Sequence, residues 1–323
     1  MKAAYLKQLG PESNFIYGDL PDPVPGPRQV LIRVRAAGIN RGDLFRREGT
    51  YGGAAPAFPF VPGWEVAGVV EAVGAEVTDR AVGLPVLATM AQGGYAELVA
   101  VNRAGTIVVP PGLALDEAAS IPMVFLTSWY ALVKIARLEA GESALIQSGG
   151  SGVGMAGIQI AKHLGAKVIT TAGTDEKVAK ARTLGADAAV NYEGQDFLPE
   201  ALRFTNQAGV NVVLESVGGA VLAQSVEALA PLGRLVTVGN SSRSQQQPDL
   251  DALARRNASF NRFSLARQMS LGGVMAELSR IIELCAQGKL RTVIDRAFPL
   301  SEAAEAHRHL AARRNFGKVI LKP

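Results

Sequence analysis

The stretch that most constrains this chain is an apolar run, Ala144-Leu145-Ile146-Gln147, leading into Ser148-Gly149-Gly150-Ser151-Gly152-Val153-Gly154. The run reads as a short buried strand. The glycines make a tight turn, and the apolar pattern over 155–164 reads as a helix. The same alternation then continues. Strands are predicted at 167–171, 188–190, 210–214 and 234–238, with helices at 175–184, 197–206 and 220–229. The 175–184 helix is capped by Thr174 or Asp175 and stopped by Gly185. Strands alternating with helices at this spacing require a parallel sheet with crossover helices. Their apolar, β-branched composition suits burial on both faces.

The flanking sequence is of another kind. Before residue 100 the pattern is β-rich, with short apolar runs at 30–34, 66–73 and 96–101 separated by Pro and Gly. Pro21, Pro23, Pro25 and Pro27 form a stiff connector ahead of the first of these. After Asn240 comes a polar loop at 241–247, then helices at 273–287 and 301–312 and a strand at 319–321. A chain of 323 residues with this change of pattern is expected to form two domains.

Composition narrows the function. The formal charge is +4 and no long basic run occurs, which argues against a nucleic-acid partner. No apolar stretch approaches the roughly 20 residues of a membrane helix, and no signal region opens the chain, so a soluble cytoplasmic protein is the expectation. The single cysteine, Cys285, reads as a packed thiol on a helix face rather than a nucleophile.

A strand, a glycine turn and a helix start together make an anion cradle. The helix end offers unpaired N–H groups and the positive end of its dipole, and glycine lets the backbone approach a pyrophosphate. The spacing Gly149-x-Ser151-x-x-Gly154 is the dinucleotide fingerprint with serine in place of its middle glycine. NAD sites usually end the next strand with an acid that binds the ribose 2′-hydroxyl. Here that strand ends Thr170-Thr171-Ala172-Gly173-Thr174, and Lys177 lies a helical turn further on. The missing acid and the nearby ammonium favour NADPH, whose 2′-phosphate needs a cation. The plainer reading of Lys177 is a solvated helix lysine.

Several segments, in order and spacing, carry a resemblance. They are Ala36 to Asp43, Val61 to Gly68, Gly93 to Glu97, Leu126 to Tyr130, the glycine turn, Asn191-Tyr192, Glu215 to Gly218, Gly239 to Ser241 and Asn315 to Val319. Across almost its whole length the chain resembles the zinc-independent quinone oxidoreductases of the medium-chain dehydrogenase/reductase superfamily. The resemblance implies an α/β fold with a GroES-like β-rich catalytic domain at 1–120, rejoined by 257–323, and a Rossmann NADPH-binding domain at 121–256. It also implies a homodimer. It places Asn40, Asp43 and Tyr51 at the substrate end of the site. Gly150, Ser151, Gly152, Val153 and Gly154 would hold the pyrophosphate, with Thr127, Gly239, Asn240, Phe263 and Leu265 near the nicotinamide. Gly173, Thr174, Lys177, Tyr192 and Lys318 would lie near the adenosine phosphate or its surroundings. Tyr51 could donate a proton or merely form a wall, and Asp43 could act directly or only buttress its neighbours.

Zinc-dependent members of the superfamily carry Cys, His and Cys where this chain has Asn40, Trp64 and Met123. An amide, an indole and a thioether are poor zinc ligands, so no metal is expected. His307 and His309, a His-x-His pair on a predicted helix, read as surface residues. Without a metal to stabilise an alkoxide, reduction of an already electrophilic acceptor is the easier reaction. The resemblance therefore implies hydride delivery from NADPH to a quinone. A double-bond reductase of enones, alkenals or enoyl thioesters is the enzymatic alternative, and an NADPH-binding protein with little catalysis is a third. A local departure, Gly83-Leu84-Pro85-Val86 where the family often has Gly-Asp-Arg-Val, affects one turn.

Overall fold

The computed structural model describes residues 1–323. The chain forms two compact units. One comprises Met1–Met123, Met275–Gln287 and Thr292–Pro323, and the other Val124–Val274 with Gly288–Arg291.

The first unit is built on Gln29–Ile39, an 11-residue strand. One edge of this strand pairs antiparallel with Glu65–Val73. Its other edge pairs with Leu98–Asn102 over Gln29 to Arg33, then with Lys318–Lys322 over Ala37 to Ile39. The C-terminal strand thus completes a sheet begun by the first residues. Ile294–Pro299 lies parallel beside it, and Pro85–Thr89 and Thr106–Val108 extend the far side. Two register shifts in the pairing with Glu65–Val73 bend the long strand. At that bend a Cβ on Gly68 would collide with the Arg33 carbonyl oxygen, so the close approach demands glycine. Alternate residues, among them Val30, Ile32, Val34, Val66 and Val319, point into one buried core.

The second unit holds a six-stranded sheet. In spatial order its strands are Ala188–Asn191, Lys167–Ala172, Ser143–Ile146, Val210–Glu215, Leu229–Thr237 and Ser259–Arg262, all parallel. Numbered along the chain this is the order 3-2-1-4-5-6 of the doubly wound dinucleotide folds. Every residue of Ser143–Ile146 is buried, which is why Ala144 to Ile146 run apolar rather than alternating. Leu145, Ile169, Val213, Leu222, Val226 and Leu235 pack in one cluster. Burial of each such side chain contributes about 1.5–3 kcal/mol.

The boundary differs from the sequence expectation. Residues 257–274 belong with the parallel sheet, because Ser259–Arg262 pairs with Arg234 to Thr237 as its sixth strand. Ser-Phe-Asn-Arg has one apolar residue at a half-exposed edge, so its pattern does not announce a strand. No helix is long and apolar enough to cross a membrane.

Candidate active site

In the second unit, the residues expected to bind cofactor gather at the carboxyl ends of the parallel strands. This is where open α/β sheets bind ligands. The glycine turn follows Ser143–Ile146 and enters the 12-residue helix Gly152–His163. The helix starts earlier than residue 155, because Ser151 caps it: its Oγ accepts the Gly154 N–H at 2.9 Å. Serine at the middle position of the fingerprint therefore has a defined local role. The turn is pinned to the neighbouring strand by Gly149 N–H to Thr171 O at 2.7 Å and Ser148 N–H to Thr171 Oγ1 at 3.1 Å. A Cβ on Gly149 would collide with Thr170 Oγ1, and one on Gly154 with Ser148 O. The first helical turn, with Gly152 and Val153, leaves N–H groups without intrahelical partners. These features fit a dinucleotide pyrophosphate.

At the end of Lys167–Ala172, Gly173 lies under Tyr192; a Cβ there would stand 2.7 Å from the phenol oxygen. Thr174 caps the helix Asp175–Thr183, its Oγ1 accepting the Lys177 N–H at 3.2 Å. Both acids that open this helix are engaged locally. Asp175 Oδ1 accepts from Asn191 Nδ2 at 2.7 Å, and Glu176 pairs with Lys180 at 2.6 Å.

Past Leu229–Thr237, Gly239 O accepts from Thr237 Oγ1 at 3.1 Å. Asn240 Nδ2 donates to Ser244 O at 2.7 Å. Phe263 stacks on Tyr130 with ring centroids 5.5 Å apart and planes within 7°. Leu265 opens the next helix, Leu265–Leu271. Thr127 lies on the helix Pro122–Trp129, whose Ser128 Oγ donates to Val153 O at 2.8 Å. Beneath this loop cluster, Glu215 is fully buried and accepts from Val217 N–H, Gly218 N–H and Thr237 Oγ1.

In the first unit, Asn40 ends the long strand and precedes the helix Arg41–Glu48. Its backbone N–H donates to Asp43 Oδ2 at 2.8 Å. Its side chain joins a buried ion pair: Nδ2 donates to Glu65 Oε1 at 2.8 Å, and Oδ1 accepts from Lys318 Nζ at 2.8 Å. Lys318 and Glu65 are 2.6 Å apart. Lys318 also donates to Ile39 O at 2.9 Å, and Glu65 Oε2 takes the Met123 N–H at 2.7 Å. Asp43 is wholly buried and its Oδ1 has no hydrogen-bond partner. Burial pushes its carboxyl up to about 7, with the Glu65 charge acting the same way, against the Asn40 N–H and the Lys318 ammonium. Tyr51 is half-exposed, with its ring 5.0 Å from that of Trp64. Burial, and then the Asp43 charge, raise its phenol. The Trp64 ring lies on Gly42, where it leaves no room for a Cβ.

One expectation is corrected, and Lys318 gains a role the sequence did not suggest. Its ammonium is buried in the first unit with all three donors used. The histidine pair is not surface decoration. His307 is buried, with its Nε2 3.2 Å from the Tyr95 hydroxyl and Phe15 edge-on at 4.9 Å, and burial pushes its imidazole down to about 3. His309 lies 2.7 Å from Asp295 Oδ2. Cys285 is packed as read, its thiol pushed up to about 12 by burial. The sequence reading also missed Glu65, Tyr130 and Glu215. Each lies inside a segment that carried the resemblance, but none has a motif spacing of its own.

A parallel sheet in this order, with a glycine cradle after its first strand, defines the dinucleotide-binding class of dehydrogenase-type folds. A family model described as alcohol dehydrogenase GroES-like domain matches residues 26–111, and one described as zinc-binding dehydrogenase matches 184–321. A quinone oxidoreductase of Pseudomonas aeruginosa is 35% identical over 322 residues, 97% of each chain. A 2-haloacrylate reductase of Burkholderia sp is 32% identical over 328 residues, 99% of this chain and 98% of that one. A phenolphthiocerol/phthiocerol polyketide synthase of Mycobacterium tuberculosis is 36% identical over 300 residues, 92% of this chain. The chain spans only 14% of that much longer relative. Among solved structures, an NAD-dependent alcohol dehydrogenase superposes with a TM-score of 0.94 at 32% identity over 100% of both chains. A mycobacterial protein complexed with NADPH superposes with a TM-score of 0.92 at 31% identity, again over 100% of both chains. The chain belongs to the medium-chain dehydrogenase/reductase superfamily, with a quinone oxidoreductase among its full-length relatives.

Gly154→Ala drives a Cβ into a backbone carbonyl that cannot move aside. It should weaken dinucleotide binding at least tenfold in a fluorescence titration and lower stability by about 1–3 kcal/mol. Asp43 gives a signed pH effect. Its acid rises from 3.8 to about 7 on folding, so between those values the folded state keeps a proton that the unfolded chain releases. Stability then falls as pH rises through that window. His307 works in the opposite sense over an overlapping range. The difference between the wild type and Asp43→Asn isolates the carboxyl. In urea unfolding, wild-type stability relative to the variant should decline from about pH 4 to 7 and level off above; a difference independent of pH contradicts the assignment.

Proposed function

We propose that the protein is an NADPH-dependent, zinc-free reductase that delivers hydride to a quinone. One observation carries the choice of cofactor: the strand Lys167–Ala172 ends without an acid, and Asp175 and Glu176 are turned to Asn191 and Lys180. The strand itself offers no carboxylate to the ribose 2′-hydroxyl, and Gly173, Thr174 and Lys177 would receive a 2′-phosphate. The mycobacterial relative complexed with NADPH supports the same reading.

The cradle at 149–154 would hold the pyrophosphate, and the bound cofactor supplies a hydride. The chain itself supplies orientation and charge stabilisation. As hydride arrives at the acceptor, negative charge develops on its oxygen, and hydrogen-bond donors stabilise that charge. Asn40 and Tyr51 are the donors of the substrate end. The flat ring of Trp64, seated on Gly42, favours a planar acceptor. Asn40, Trp64 and Met123 stand where zinc-dependent relatives carry ligands, and their donor chemistry suits no zinc. The ammonium of Lys318 already contacts Asn40 Oδ1.

A second reading, reduction of an activated carbon–carbon double bond, is favoured by the full-length similarity to a 2-haloacrylate reductase. Product identity separates the two: a hydroquinone from quinones supports the first, and a saturated product from enones or haloacrylates the second. NADPH should be oxidised at least tenfold more efficiently than NADH. Lys177→Glu should weaken NADPH at least tenfold while leaving NADH within about threefold. Equal losses for both cofactors would show the phosphate assignment to be wrong.

A further inference from the structure

The Asn40 side chain has one oxygen and two N–H groups; Lys318 engages the oxygen and Glu65 one N–H, with the Asp43 carboxyl as a further, weaker neighbour. Oδ1 accepts from Lys318 Nζ at 2.8 Å, and one N–H donates to Glu65 Oε1 at 2.8 Å. A carboxamide can turn over and exchange its oxygen with its nitrogen. Here the exchange would press Oδ1 against the Glu65 carboxylate and the NH2 group against an ammonium. Both partners are themselves fixed. Lys318 uses its other donors on Glu65 at 2.6 Å and Ile39 O at 2.9 Å, and Glu65 Oε2 holds the Met123 N–H. Glu65 and Lys318 are 0% and 2% exposed, whereas Asn40 is half-buried. Of the three, only Asn40 is partly exposed.

We propose that Lys318 and Glu65 are positioning residues that lock the Asn40 amide so that its remaining N–H, and not its oxygen, is presented to the oxygen of the acceptor. The inference rests on reading Asn40 as part of the substrate end. The donor keeps its proton throughout; it stabilises the negative charge that grows on the acceptor oxygen as hydride is added. The reversed amide would present lone pairs to that charge and raise the barrier. The opposite charges of Lys318 and Glu65 cancel, so the lock imposes orientation without adding a net charge.

Lys318→Met alone strands the Glu65 carboxylate in the interior and endangers folding. The test therefore uses Glu65→Gln/Lys318→Met, which leaves no lone buried charge, and whose glutamine accepts Asn40 in either orientation. With a quinone or enone acceptor, this variant should lose at least tenfold in kcat/KM, mostly in kcat, with NADPH affinity within twofold. Asn40→Ala should lose a similar factor, and adding it to the double variant should lower the rate by less than threefold more. A double variant within threefold of the wild type, or losses that multiply, overturns the proposal. A second readout needs no turnover. In 15N-labelled wild type, the two Asn40 side-chain protons should be well separated and slow to exchange, and in the double variant they should converge. Unchanged resonances overturn the lock. A locked amide in an enzyme that reduces none of the acceptors would count against the proposed reaction, not against the positioning.

Discussion

The ion pair of Lys318 and Glu65 is the point at which three distant segments of the first unit meet. Its partners are 253 residues apart in sequence and 2.6 Å apart in space. Burying two charges is costly unless each finds hydrogen bonds for its remaining valences, and here each does. The ammonium reaches Ile39 O and Asn40 Oδ1, and the carboxylate reaches Asn40 Nδ2 and Met123 N–H. Removing one partner from such a pair costs about 3–5 kcal/mol, because the other charge stays buried. Crowding around the pair also fixes a neighbour: a Cβ on Gly38 would lie 2.5 Å from Glu65 Oε1 and 2.6 Å from Ala119 O. The end of the long strand, the start of Glu65–Val73 and the C-terminal strand therefore meet in one arrangement, with Asn40 and Asp43 held at its edge.

The second unit reaches its precision by other means. Its site is made of backbone: glycines where a Cβ has no room, and caps from Ser151 and Thr174 that settle where helices begin. Backbone groups of this kind are fixed by the sheet itself, since the turns leave the ends of strands buried on both faces. Specificity is then left to few side chains, and the conspicuous feature among them is the lack of an acid at the end of Lys167–Ala172.

Much of this was legible in the sequence because the parallel half obeys local rules. Ala144 to Ile146, Gly149 to Gly154 and Thr174 each signal their structure within a few residues. The resemblance extended that reading to the β-rich half. What escaped depends on contacts between distant residues. Lys318 belongs to a motif near the C-terminus, and nothing local says that its strand pairs with Ala37 to Ile39. Glu65 carried no signal of its own, and His307 read as a surface residue, until the fold buried them. The sixth parallel strand, Ser259–Arg262, was hidden because an edge strand needs little apolar character.

The central claim, that the Lys318–Glu65 pair fastens the C-terminal strand to the frame of the first unit, is tested most directly by native-state hydrogen exchange. Amides of Val319 to Leu321 and of Ala37 to Ile39 should exchange together and slowly in the wild type. In Glu65→Gln/Lys318→Met, which removes the pair without stranding a charge, both sets should lose protection in step, while Val212 to Leu214 of the parallel sheet keep theirs. If the C-terminal strand stays as protected in the variant as in the wild type, the pair does not fasten it and the account is contradicted.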